Sequence, residues 1–356
     1  MRRQGKNYSF DGQVLYIGID VHLKTWTVVI LTQSGYKERF SQESKASVLY
    51  AHLQKHYKGA IWNSVYEAGF TGFSTHYALI SYGINNIIVN ASDVPTNQKE
   101  KLHKTDNVDA LKLAVSLRDG RLSGIYVMSQ QEVAFREKVR YRSVIVKENT
   151  RWKNRIKSCL YRHGVDYPEV FKSSGSHWSG KFVQWLQEVS ENTLPSLLPY
   201  VTSYIQVREQ LVSANKKLKE LAKEENYAYQ IELLLSIPGI GFITAITFLS
   251  EMGNIERFKN EREFASFIGI VPTCHDSADK THSMGMTFRT NKHLSSMLIE
   301  ASWTAVRADV ALSACFGQLC KRMKSNDAII RIARKLSNRI LTVLKTKQKY
   351  ICGQNN

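Results

Sequence analysis

Three β-rich apolar runs open the chain in quick succession and leave few folds open to it. Residues 14–19, 25–31 and 36–41 are joined by short polar connections, the second run ending at Thr32-Gln33-Ser34-Gly35. This spacing predicts an antiparallel meander. Residues 45–57 then read as helix, 61–66 as strand, 74–82 as helix and 84–90 as strand.

Three strands followed by strand–helix alternation is the order of a ribonuclease-H-like α/β fold, in which the first and fourth strands each carry an acid. Here Tyr16-Ile17-Gly18-Ile19 leads to Asp20, and Ser64-Val65-Tyr66 leads to Glu67 and the glycine-rich turn Ala68-Gly69-Phe70-Thr71-Gly72. Two more acids, Asp106 and Asp109, open an apolar-periodic helix through Val108, Leu111, Leu113 and Ala114. Three residues apart, they share a helix face near the positive end of its dipole. Strands and a helix delivering four carboxylates make the oxygen-rich cage that magnesium or manganese favours. The basic segment 97–104 just before them suits guiding phosphates toward that cage.

A formal net charge of +18 on 356 residues exceeds what solubility requires and points to a polyanionic partner, with nucleic acid first. No apolar run approaches the roughly 20 residues that span a bilayer, and the opening Met1-Arg2-Arg3 has no secretory apolar segment. A cytoplasmic protein without a membrane partner is expected. The five cysteines show neither a disulfide framework nor zinc spacing, and read as reduced and structural.

Residues 136–162 form a long basic helix in which Lys138, Arg140, Arg142, Lys147, Arg151, Lys153, Arg155 and Lys157 are countered only by Glu137 and Glu148. Arg140, Arg142, Arg151, Lys153 and Arg155 are candidate phosphate contacts, with Tyr141 and Trp152 available to stack on bases. From Tyr204 to Glu224, Ile205, Val207, Leu211, Ala214, Leu218 and Leu221 recur near heptad spacing. That pattern fits a coiled-coil arm suited to dimerisation, or one packed on its own domain. Next, Ile237-Pro238-Gly239-Ile240-Gly241 reads as a helix-hairpin-helix turn, with Gly239 and Gly241 placing amides for a DNA phosphate. A helix over 261–268 leads to a polar loop, 273–285, holding His275, Asp276, Ser277, Asp279, Lys280, His282 and Ser283, which suggests chemistry. Helices over 291–306 and 327–344 close the chain, the last with Arg331, Arg334, Lys335 and Arg339 on a basic face.

Taken together, Ile-Gly-Ile-Asp20, Tyr-Glu67-Ala-Gly, Lys-Thr-Asp106-Asn-Val-Asp109-Ala, Ile-Pro-Gly-Ile-Gly241 and Phe-Ile-Gly-Ile-Val-Pro272 followed by a serine loop resemble the DEDD transposases of the IS-one-ten class, from about residue 16 to residue 306. The resemblance implies a RuvC-like N-terminal domain holding a divalent metal on Asp20, Glu67, Asp106 and Asp109, a coiled-coil arm, and a C-terminal domain with a nucleophilic serine. It also implies a phosphoserine link to DNA, donor and target DNA as substrates, a noncoding guide RNA, and a homo-oligomer, dimer or tetramer. Where the family usually has Ser-Ser-Gly this chain reads Asp276-Ser277-Ala278, which makes Ser277 the catalytic match and Ser283 the reserve. Arg289 stands where a lysine is usual and keeps its charge.

The expected division is residues 1–127 as the acid-bearing domain, 128–230 as the basic helical and coiled-coil region, and 231–356 as the transposase domain with the hairpin and serine loop. Two other readings fit the same residues. One is a RuvC-like nuclease that hydrolyses phosphodiesters with water; the other is a non-catalytic nucleic-acid-binding derivative.

Overall fold

A computed structural model describes residues 10–35, 37–95, 106–277, 280–286 and 290–352, with the backbone alone for 107, 225–226, 272–277 and 280–286. It divides into two compact units, residues 1–128 and 129–356.

The first unit is an α/β sandwich. Strands β1 (Val14–Val21), β2 (Thr25–Thr32), β3 (Lys37–Glu43), β4 (Ile61–Glu67) and β5 (Asn85–Val89) form one mixed sheet in the order β3-β2-β1-β4-β5. The β1–β2 and β2–β3 pairs are antiparallel, while β1–β4 and β4–β5 are parallel. This topology is compatible with a ribonuclease-H-like fold. Alternation along β1 sends Leu15, Ile17 and Ile19 to one face, where they are buried with α1 (Ala46–His56) and α2 (Ser74–Ser81) through Leu49, Leu53 and Leu79. The opposite face is covered by α3 (Asp106–Arg118), whose Ala110 and Ala114 meet Val29 and Leu31 while its Leu113 meets Val65 and Val89. Both faces are therefore dry, which is why β2 reads as continuous apolar sequence.

Among its described residues the second unit has helices and one strand hairpin as its regular elements. Helix α4 (Gln130–Arg162) starts six residues before the basic pattern, because Ser129 and Glu132 form a reciprocal capping box. The stretch 163–198 contains α5 (Gly180–Asn192), started by the Ser179 side chain accepting from the Phe182 amide. Helix α6 (Leu198–Leu221) returns along α4 in the antiparallel sense: Arg142 Nε donates to Asn215 Oδ1 at 2.7 Å, and Trp152 lies edge-on to Tyr200. The heptad pattern of α6 is thus used within the chain, burying Ala214 and Leu218. Trp152 packs against the aromatic cluster of Phe171, Phe182 and Tyr204, so it is already spoken for as a stacking platform.

Helices α7 (Glu225–Leu235), α8 (Phe242–Met252), α9 (Glu261–Ile268), α10 (Lys292–Ala308), α11 (Val310–Cys320) and α12 (Ser325–Thr346) surround the larger core. The polar loop expected over 273–285 is instead an antiparallel hairpin of β6 (Pro272–Ser277) and β7 (Lys280–Met286), with Ser277 opposite Lys280. Its sequence carries no apolar alternation, so nothing in the hydrophobic pattern announces strands. Helix α11 also went unpredicted. Its N-cap is Asp309, a fully buried carboxylate that accepts from the Leu312 amide, Arg339 and the Tyr350 hydroxyl. Arg339 therefore serves the interior rather than an outward basic face. Among the described residues no helix is long and apolar enough to cross a membrane.

Candidate functional site

Backbone alternation decides which acids meet. Gly18 sits two residues before Asp20 on the α3 side of β1, and a Cβ placed there would collide with the Ala110 carbonyl and lie 2.6 Å from the Ala114 nitrogen. Glycine at 18 lets α3 lie directly on the strand. That contact fixes the height of the helix, and Asp106, one turn before Ala110, comes level with Asp20. On the neighbouring strand the last paired positions are Ile19 and Tyr66, so Asp20 and Glu67 are the next residues on adjacent parallel strands. Val65, two residues before Glu67, packs on Leu113, which puts Glu67 on the α3 face as well.

Asp20, Asp106 and His22 form a tight group whose ligand atoms all lie within 4.8 Å of one another. His22 Nε2 is 3.1 Å from Asp20 Oδ2 and 3.5 Å from Asp106 Oδ2. Burial pushes the Asp20 carboxyl above its ordinary value, and the neighbouring charges of Asp106 and Asp109 add to the rise, with His22 opposing it. A half-buried carboxylate with two further acids beside it is short of positive charge, and a divalent cation supplies it. Donor atoms around a cation bound at about 2.1 Å stand about 3 Å apart when adjacent and about 4.2 Å when opposite. The two distances from His22 fall in that range and the whole group lies within 4.8 Å, so a small closing movement of the side chains suffices for these residues to hold a metal ion. Asp109, whose carboxylate lies 4.0 Å from the Lys112 ammonium, flanks the group one turn further along α3.

His22 is a member of this group that the acid motif alone did not bring forward. Its signal was in the sequence: Asp20-Val21-His22 places acid and imidazole on one side of an extended strand end.

The second unit holds the remaining candidates. Arg140 makes a two-pronged pair with buried Glu251, at 2.6 and 2.7 Å, and Asn291, the N-cap of α10, donates to the same carboxylate at 3.0 Å. Burial would raise Glu251, but the bonds from Arg140 and Asn291 outweigh it and hold the carboxyl below its usual range. Arg142 is bonded to Asn215, Arg151 pairs with Glu148, and Arg155 lies 4.5 Å over the Trp152 ring. Lys153 lies in a cluster of like charge: its ammonium is held below its ordinary value first by burial, then by repulsion from Arg208 and Lys157. Arg208, on α6, joins this cluster only through folding.

Gly239 adopts φ +89° in the turn between α7 and α8, where a Cβ would lie 2.8 Å from the Ala305 nitrogen. Its freedom is therefore required by packing against α10. Gly241 is the exposed N-cap of α8, and with Gly239, Thr244 and Ser296 it lines a groove of about 680 Å³. Ser277 ends β6, and Ser283 faces Cys274 across the hairpin. Arg289 and the basic segment 97–104 lie outside the described residues.

Comparison with known proteins bears on both units. Residues 17–164, which contain all four acids, match the DEDD transposase model of the IS110 type, and residues 231–316, which contain the hairpin glycines and Ser277, match the Transposase IS116/IS110/IS902 family. A putative transposase, y4qE, of Sinorhizobium fredii is 26% identical over 299 residues, spanning 83% of this chain and 72% of its own length. The transposase for insertion sequence element IS1533 of Leptospira borgpetersenii is 27% identical over 258 residues, 70% of this chain and 72% of its own. The transposase for insertion sequence element IS1111A of Coxiella burnetii is 24% identical over 296 residues, 79% and 78% respectively. With both family models matched in chain order and relatives of one kind along most of its length, the chain belongs to the IS110 class of transposases.

Proposed function

We propose that this transposase cuts and rejoins the DNA of its own insertion sequence through a phosphoserine intermediate formed by Ser277. A ribonuclease-H-like, RuvC-like first unit would hold a divalent metal, magnesium or manganese, on Asp20, Glu67, Asp106 and Asp109. The observation that carries this reading is the convergence of Asp20 and Asp106, 86 positions apart in sequence, on one imidazole nitrogen.

Bound there, a divalent cation neutralises charge that develops on a transferring phosphoryl group. The chain's own groups do the rest. The Ser277 hydroxyl attacks phosphorus, its proton passes to a neighbouring base or water, and the departing DNA oxygen takes up a proton as its bond to phosphorus breaks. Reversal by a hydroxyl of another strand rejoins DNA without an external energy source, because the phosphodiester energy is kept in the serine ester. The cluster of Lys153, Lys157 and Arg208, together with the amide at Gly241, would hold phosphates away from the reacting centre. The division into an acid-bearing domain to residue 127, a basic helical region to 230 and a serine-bearing domain beyond it follows from these roles. A noncoding RNA from the same element would guide the choice of donor and target, and the protein would act as a homo-oligomer, dimer or tetramer.

The test is adduct trapping. Supercoiled DNA carrying the element's ends, the element's RNA and the protein are denatured in mid-reaction, and the covalent complex is mapped by mass spectrometry. A phosphoserine at 277 that disappears in Ser277→Ala is the expected result. An adduct at Ser283 would move the nucleophile. Cleavage with no adduct would instead establish hydrolysis by water.

A further inference from the structure

Within the metal-bearing reading just proposed, we propose that His22 is a nitrogen ligand of the same cation and sets its preference for manganese over magnesium. Asp20, Asp106 and His22 offer one donor atom each, all within 4.8 Å of one another, and the two distances from Nε2, 3.1 and 3.5 Å, suit adjacent positions around one ion.

The fold presents this nitrogen. His22 follows the last residue of β1, and its backbone amide donates to the Thr25 carbonyl at 3.2 Å, which anchors the chain between β1 and β2. The ring is half exposed at 51%, as is Asp106 at 63%, so the imidazole fills no core and is open to solvent and substrate. An exposed contact of this kind adds little to the fold, so stability gives little reason to hold an imidazole against two acids. Coordination gives a better one.

The consequence is selectivity. A site made only of carboxylates suits Mg2+, a hard ion that prefers oxygen and gives up its water reluctantly. A neutral imidazole in the set favours first-row transition ions, for which nitrogen is a good donor. Mn2+ tolerates both kinds of donor and supports the same phosphoryl chemistry. The ordering therefore expected at this centre is Mn2+ ahead of Mg2+, with His22 responsible for the gap.

The experiment uses the full chain with Mn2+ alone and Mg2+ alone. Dissociation constants come from thermal-shift titration, and nitrogen coupling to bound Mn2+ comes from pulsed electron paramagnetic resonance, for wild type, His22→Gln and Asp106→Asn. Wild type should show an imidazole 14N modulation that His22→Gln removes. The same variant should weaken Mn2+ binding about tenfold or more, as loss of an interaction at a metal centre does, while Mg2+ binding changes little. Asp106→Asn should weaken both ions. Absence of the nitrogen signal from wild type, its survival in His22→Gln, or an equal effect on the two ions overturns the role of His22. An Asp106→Asn protein that binds both ions as wild type does overturns the acid site itself, so the two failures are told apart.

Discussion

Gly18 of β1 and Ala110 of α3 approach so closely that even a methyl group on the glycine would penetrate the alanine's carbonyl oxygen. The acid site hangs on this contact, because α3 can bring Asp106 level with Asp20 only while it rests on bare backbone. Gly18→Ala should therefore do two things at once. It should destabilise the first unit by about 1–3 kcal/mol, the usual cost of overpacking, and it should lift Asp106 away from Asp20. Thermal denaturation and metal titration on one sample should show a lowered Tm together with weakened Mn2+ binding, whereas Gly12→Ala, also in the first unit but with open space around it, should leave metal binding intact.

Arg140 tests how far a basic residue in a basic helix can be assumed to meet nucleic acid. Its partner Glu251 is 2% exposed, and the pair ties α4 to Asn291 at the start of α10, shortly after the serine hairpin. Arg140→Met should cost about 2–3 kcal/mol, below the range for a wholly buried pair because Arg140 itself is 42% exposed. Arg140→Met with Glu251→Leu should recover most of that loss, as measured by chemical denaturation.

Arg151 and Arg155 make the contrasting prediction. Each lies on the surface of α4, in an exposed ion pair and over a ring face respectively, and neither holds the core together. Alanine at either position should leave Tm nearly unchanged, weaken binding to DNA of any sequence, and lower the slope of log affinity against log salt by about 1.

Asp309 governs the response to acid. Burial alone would raise its carboxyl, but the Leu312 amide, the Tyr350 hydroxyl and Arg339 hold it below the usual carboxylate range. A group whose folded pKa is depressed stabilises the protein fully above its unfolded value, about 3.9, and loses that contribution as pH falls through the lower folded value. Stability measured against pH should therefore drop below about pH 4. Asp309→Asn should be less stable at neutral pH and should show a shallower acid limb.

The first unit was legible because each of its signals is local. β-rich apolar runs placed β1, β2 and β4 nearly to the residue, and the acids stood at strand and helix ends where spacing finds them. Gly18 is illegible for a different reason, since its role arises only once α3 lies across β1, whereas His22 is signalled by its place two residues after Asp20. The basic helix was equally visible as charge, yet sequence does not say which arginines have interior partners. Glu251 is 111 positions from Arg140, and Asn215 is 73 from Arg142. The serine hairpin left no hydrophobic trace, since its strands are almost wholly polar. Helix α11 was obscured because its start depends on Asp309, an acid that reads as a surface residue until Arg339 and Tyr350 close around it.

The most direct measurement is recombination of DNA bearing the element's ends by the wild type, Asp20→Asn and Asp106→Asn, with Tm recorded for each. Asp106 is largely exposed and bears little on stability, so its asparagine variant should fold as the wild type does. Loss of strand joining by about a hundredfold or more in both variants, the scale seen when a charge that stabilises a transition state is removed, is the predicted result. Joining at the wild-type rate by a folded Asp106→Asn protein would contradict the claim that these carboxylates form the reacting centre.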